Sequence, residues 1–188
     1  MQDALVGIDR ELLFLINGWA GNPVPDRLML LVSAKWVWIP LYAYLLYAIK
    51  TNFGHPHLWW TVLAVCSVIV ISDQGSVQLF KEVFQRSRPC HHPIVRDSLQ
   101  LVSGKCGGQF GFISSHASNV FGLAAYCAVL FKGRSWLGSS MLLWASVVSI
   151  SRVYLGVHYP ADVLGGMLFG TLIGAAAAVA ALRTIGDK

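Results

Sequence analysis

Charged side chains are scarce in this sequence: Asp, Glu, Lys and Arg make up 12% of its 188 residues, against roughly 25% in soluble globular chains. So few charges cannot cover a water-facing surface, which excludes an ordinary soluble domain. The first residues are not expected to act as a secretory leader. In MQDALVGIDRELLFLINGW, Asp3, Asp9 and Glu11 stand where a basic n-region belongs, and no small-residue cleavage site follows. Runs of Lys and Arg are absent, so no nucleic-acid partner is expected. There is no internal repeat, linker or low-complexity tract, and the length suits one domain over residues 1–188.

Apolar residues fill the space: 55% of the chain is hydrophobic and the mean hydropathy is +0.59. Stretches over residues 36–49, 58–80, 117–131, 136–151 and 161–182 reach or approach the about 20 residues of helix that cross a hydrocarbon core. The first can be extended back to Leu28 if Lys35 snorkels. The expected fold is all-α, an integral membrane bundle of about five transmembrane helices preceded by an amphipathic N-terminal helix lying along the interface. Trp36, Trp38, Trp59, Trp60 and Trp136 fall near span ends and read as the interfacial aromatic belt. Gly166, Gly170 and Gly174 form a small-residue stripe that lets a neighbouring helix approach, within one bundle sooner than between copies. The net charge of +5 fits both the cationic bias of cytoplasmic loops and an anion-binding pocket.

Polar groups near a bilayer are costly, and by default they face a bundle interior or a cavity where they have work. The one long polar segment runs from Lys81 to His116 and opens with KEVFQRSRP. In a helix, Lys81 and Arg88 project from one face, and Pro89 turns the Arg88 guanidinium out at the helix end. Arg86 then points elsewhere, as a solvated charge. Alone, this pair reads first as interfacial snorkelling. A second cluster, FISSHASN, places Ser114, Ser115 and His116 at a helix start, where serines are ordinary N-caps but backbone N–H groups also suit a phosphate. His116 can protonate a leaving oxygen there.

The third cluster, SRVYLGVHYPAD, puts Pro160 in the first turn of the last helix, with Asp162 inside that turn and His158 just before it. A carboxylate at i+4 can hold one imidazole nitrogen and leave the other free as a nucleophile. A capping Asp beside an interfacial His explains this piece equally well in isolation. The first two clusters bracket the long loop, and the third returns to the same side two spans later, so all three can meet. Together Lys81, Arg88 and Arg152 would neutralise a phosphoryl group, the task that dominates phosphoryl transfer. No metal or cofactor is expected: His116 and His158 have only Asp162 as a further ligand, and three cations would repel a divalent ion. His91 and His92 read as loop residues.

These ordered motifs resemble the type 2 phosphatidic acid phosphatase superfamily, which includes bacterial lipid phosphate phosphatases and is related to vanadium-dependent haloperoxidases. The resemblance rests on Lys81 with Arg88-Pro89, on Ser114-Ser115-His116, and on Ser151-Arg152 followed by His158 and Asp162. It implies a phosphohistidine mechanism: His158 attacks phosphorus, Asp162 orients it and His116 protonates the leaving group. Lys81, Arg88, Arg152, Ser114 and backbone N–H groups near Ser115 would hold the phosphoryl oxygens. The sequence departs from the family's Pro-Ser-Gly-His by reading Ile113-Ser114-Ser115-His116, which gives the Ser115 hydroxyl a chance to donate. Asp73 falls outside these motifs and is assigned a structural role.

A membrane body with little covering loop favours a lipid substrate over a soluble phosphate ester or a halide. Undecaprenyl diphosphate is the preferred candidate for its slim head group, ahead of phosphatidylglycerophosphate, phosphatidic acid or lipid A phosphates. The reading from another class is a non-catalytic protein that binds or transports anionic lipids; His158 separates the two, since binding alone does not need it. Lys50, Lys132, Arg134, Arg183 and Lys188 against Asp187 mark the opposite side as cytoplasmic. That places the chain in a bacterial inner membrane with its site facing the periplasm or exterior. Cys90 and Cys106 both lie in the outward loop, where an oxidising compartment would allow a disulfide; Cys66 and Cys127 fall in spans.

Overall fold

The computed structural model describes residues 2–185, with side chains placed for residues 4–55 and 58–183. Asp187 and Lys188, counted in the topology argument, lie outside the described residues. Helix α1 (Gln2–Asn17) turns Asp9, Leu13 and Asn17 inward at four-residue spacing and leaves Leu5, Ile8, Leu12 and Leu15 exposed. The outward stripe fits the expected interfacial helix. The inward stripe anchors it: Asn17 Nδ2 donates to Gln100 O and Tyr154 O, and Gln100 N donates back to Asn17 Oδ1.

Helix α2 (Pro23–Ser33) begins on a proline that suits the first turn. It meets the next helical segment, Lys35–His55, at a bend of 67°. The extended start at Leu28 therefore belongs to a separate helix, and Lys35 sits at the break. Trp38 is drawn inward from the aromatic belt, where its Nε1 donates to Val32 O and its ring meets Trp144 edge-on. Helix α3 (Ile39–Gly75) is interrupted by Gly54 in the left-handed region (φ 84), which divides it into the first two expected spans. It continues through a π-helical turn, Ser76–Lys81, into the single turn α4 (Glu82–Phe84).

Helices α5 (Ser115–Leu130), α6 (Ser135–Tyr154) and α7 (Pro160–Ile185) complete the bundle. By length and composition Leu58–Phe84 and Pro160–Arg183 can each cross a membrane, and the bent pair α2 with Lys35–His55 can supply a third span. At 16 residues α5 falls short of that length, but α3, α6 and α7 all pack around it. Its inner side carries Phe121, Ala124, Tyr126, Cys127 and Leu130 into the main core.

The glycine stripe of α7 packs against α5 inside the chain. A Cβ at Gly170 would lie 2.0 Å from Ser118 O, and one at Gly174 2.0 Å from Gly122 O. Ile49, Phe131, Leu137 and Ala181 share the same core cluster. Lys50, Lys132, Arg134 and Arg183 therefore gather at one end of the bundle, about 24 Å along the 16-residue α5 from His116.

Candidate active site

The α4 turn ends at Gln85, whose left-handed backbone (φ 45) breaks the helix before either arginine. Residues 86–88 then run extended against residues 109–111: Arg88 N donates to Gln109 O (3.0 Å) and Gly111 N to Arg86 O (2.8 Å) around a Ser87–Phe110 bridge. Side chains two apart on an extended chain share a face, so Arg86 and Arg88 reach the same place. This corrects two sequence expectations. Lys81 and Arg88 meet through a turn and not along one helix face, and Arg86 is not a solvated charge. Its Nη1 donates to Asp162 Oδ1 (2.9 Å) and its Nη2 pairs with Asp9. Burial works against the Arg86 charge, but Asp162 and Asp9 more than offset it and hold the guanidinium above its ordinary pKa.

His158 lies in the turn between α6 and α7, and Asp162 in the first turn of α7; both are buried. Asp162 Oδ2 accepts from Tyr159 N (3.0 Å) and faces His158 Nδ1 at 3.4 Å. The other ring nitrogen, Nε2, lies 3.1 Å from Arg88 Nη1. A guanidinium has no acceptor, so Nε2 accepts there, which assigns the proton to Nδ1. Burial pushes the imidazole down to about 4 in spite of its bond to Asp162, with Arg88 adding to the fall. Gly111 packs against this pair so closely that a Cβ would lie 2.9 Å from Asp162 Oδ2.

At the start of α5, Ser114 caps the helix, its Oγ accepting from Ala117 N, and it is buried. Ser115 Oγ accepts from Lys81 Nζ (2.7 Å) and also contacts Ser76 Oγ. A cavity of about 270 Å³ opens between these groups, lined by Lys81, Arg88, Ser115, His116, Arg152 and His158 together with Lys105, Cys106 and Gly107. Of the expected phosphate ligands, Ser114 does not reach its wall. Lys105 does, and was not foreseen. The buried Nε atoms of Arg88 and Arg152 have no hydrogen-bond partner in the protein, the kind of donor that an oxyanion satisfies. Cys90 and Cys106 are joined, with α-carbons 6.0 Å apart. Among the described residues, the cluster with metal-ligand spacing is Cys90, His91 and Cys106, whose sulfurs are taken up by that bond. Asp73 accepts from Asn119 Nδ2 (2.9 Å), linking α3 to α5.

The helical bundle converges four cations and two histidines on one cavity, with a buried carboxylate directly behind one of the histidines, an arrangement suited to an anionic ligand. The chain belongs to the PAP2 superfamily, whose family model matches residues 57–185. It is 38% identical to a lipid A 4'-phosphatase of Bacteroides thetaiotaomicron over 90% of this chain and 75% of that protein. A lipid A 4'-phosphatase of Porphyromonas gingivalis is 32% identical, over 90% of this chain and 71% of that one. Among solved structures, the transmembrane PAP2-type phosphatidylglycerolphosphate phosphatase of Bacillus subtilis superposes with a TM-score of 0.67 at 25% identity, over 93% of this chain and 84% of that one. The chain is thus an integral membrane lipid phosphatase, a hydrolase of phosphate esters.

Proposed function

We propose that His158 Nε2 attacks the phosphorus of a membrane lipid phosphate and holds the phosphoryl group as a phosphohistidine until water removes it. In the first step the Nε2–P bond forms, the P–O bond to the lipid breaks, and His116, which takes up a proton beside the bound phosphoryl dianion, gives that proton to the departing oxygen. In the second step water gives a proton to His116 and attacks phosphorus, and the Nε2–P bond breaks. Asp162 keeps the Nδ1 proton in place, so that Nε2 retains its lone pair throughout the approach. Lys81, Arg88 and Arg152 spread their charge over the equatorial oxygens, where positioning and electrostatics supply most of the catalysis. Ser115 holds Lys81 and keeps its own proton for a phosphoryl oxygen, while Ser114 acts through the backbone of the helix start. The arrangement that carries this reading is His158 held between Asp162 and Arg88 on the wall of a cation-lined cavity.

The lipid part of the substrate has a place beside it. A second, apolar cavity of about 390 Å³ shares His116 with the phosphate cavity and is lined by Trp38, Tyr42, Leu45, Val65, Leu123 and Trp144 among others. An acyl or prenyl chain of the leaving group would enter it as His116 faces the departing oxygen. Similarity to two lipid A 4'-phosphatases over most of the chain makes a 4'-phosphate of lipid A the first substrate to test. The small polar cavity favours a slim polyprenyl diphosphate as the second. The cationic end of the bundle supports a cytoplasmic placement for Lys132, with the phosphate cavity outward. There the Cys90–Cys106 disulfide would fix the strand carrying Arg88 to Lys105 and Gly107. The chain acts as a single domain and needs no metal.

Phosphate release by purified protein from a panel of lipid A, undecaprenyl diphosphate, phosphatidylglycerophosphate and phosphatidic acid tests the assignment. With excess chelator present, the lipid A 4'-phosphate is expected to turn over fastest. Activity lost to chelator and restored by a divalent ion contradicts the mechanism, and a faster polyprenyl diphosphate reverses the substrate order.

A further inference from the structure

The carboxylate that faces His158 is fully buried: the Asp162 side chain is 0% exposed. A buried carboxylate stays ionised only if it is paired and hydrogen-bonded. Its two oxygens divide the task. Oδ2 takes Tyr159 N and faces His158 Nδ1, while Oδ1 takes Arg86 Nη1 at 2.9 Å. Arg86 is itself held on three sides: its Cζ lies 4.2 Å from the centre of the Tyr159 ring, its backbone oxygen accepts from Gly111 N, and its Nη2 pairs with Asp9. Asp9 comes from α1, outside the 57–185 region that matches the family model. Its other oxygen, Oδ1, accepts from Ala161 N (2.8 Å) at the start of α7. One carboxylate of the N-terminal helix therefore fixes both the arginine and the helix end that carries Asp162.

We infer that Arg86 is a positioning residue for the reaction, and that Asp9 on the N-terminal helix holds it in place, so that docking of α1 sets the geometry of the Asp162–His158 pair. Arg86 is absent from the cavity wall and acts through Asp162, not on the phosphoryl group. Its loss removes the partner of Asp162 Oδ1 and frees the carboxylate to turn, so that Oδ2 no longer holds His158 Nδ1–H as before. Phosphate binding depends on Lys81, Arg88 and Arg152 and is unaffected. The signature is a fall in kcat with KM preserved.

The inference rests on His158 as nucleophile, so turnover of the wild type and its loss in His158→Ala are measured first and decide that reading without reference to Arg86. Arg86→Gln is then expected to lower kcat about 100-fold, the scale of a small misplacement of a reacting group, with KM within about two-fold. Arg86→Lys, which keeps the charge but loses the fork, restores part of the loss. Asp9→Asn lowers kcat less, and Asp9→Asn combined with Arg86→Gln falls no further than Arg86→Gln alone, because both act through one contact chain. A kcat for Arg86→Gln equal to the wild type, a KM that rises while kcat holds, or additive losses in the double variant would each overturn the inference. If Arg86→Gln does not accumulate as folded protein, Asp9→Asn decides alone: reduced kcat at constant KM supports the inference, and unchanged kcat overturns it.

Discussion

Burial lowers the His158 pKa to about 4, against the lift from Asp162 and with the repulsion of Arg88 in the same direction. A nucleophilic role for His158, as proposed, then needs its Nε2 lone pair, which a pKa near 4 leaves free until the pH falls toward that value. The acid limb of kcat/KM, with the substrate's own ionisation divided out, is expected near pH 4 and not near the ordinary histidine value of about 6.5. A limb at the ordinary value would mean that the free enzyme does not hold His158 as the structure shows. Lys81, Arg88, Ser115, His116, Arg152 and His158 were all legible in the sequence, because a charge or an imidazole stands out against apolar helices. Arg86 was not, because extending the helical register past Gln85 rotates it away. The sequence carried a signal against that register in Pro89, which bars the helix from Arg88, but nothing that located the break at Gln85. Asp9 figures in the sequence only as one of the acids that argue against a basic n-region. Its spacing to Leu13 and Asn17 is the one trace of its inward face.

Helix α7 lies so close to α5 that side chains are excluded from the contact. A Cβ at Gly170 would meet the Ser118 carbonyl at 2.0 Å, a backbone atom that cannot swing aside, whereas one at Gly133 meets nothing within 4 Å. Gly170→Ala is expected to destabilise the protein by about 1–3 kcal/mol, the usual cost of overpacking, with Gly133→Ala as the unaffected control in thermal unfolding in detergent. Equal midpoints for the two would show that α5 and α7 do not meet as described. The glycine spacing revealed the stripe, and the contact now shows its partner. Helix ends were less legible. The sequence joined Leu28 to the first span because both sides of the 67° bend are apolar, and hydropathy does not register a turn in direction. The break at Gly54 was visible as a polar gap between two apolar runs.

The two ends of the bundle differ in chemistry: cations with few acids at one, and the polar cavity with the Cys90–Cys106 bridge at the other. With Cys66 replaced by serine, Lys132→Cys in intact cells should stay unlabelled by an impermeant thiol reagent until the membrane is opened. Labelling without permeabilisation would reverse the topology. Membership of the family was legible from three motifs, while the apolar cavity was not, since it forms only where α2, α3, α5 and α6 come together. The central claim is a covalent step on one nitrogen. Rapid acid-free quenching of the purified enzyme with a lipid substrate radiolabelled in its phosphoryl group, followed by peptide mapping, tests it most directly. Acid-labile label on the peptide containing His158, absent from His158→Ala, is the predicted result; stoichiometric label on any other residue, or substantial turnover by His158→Ala, would contradict it.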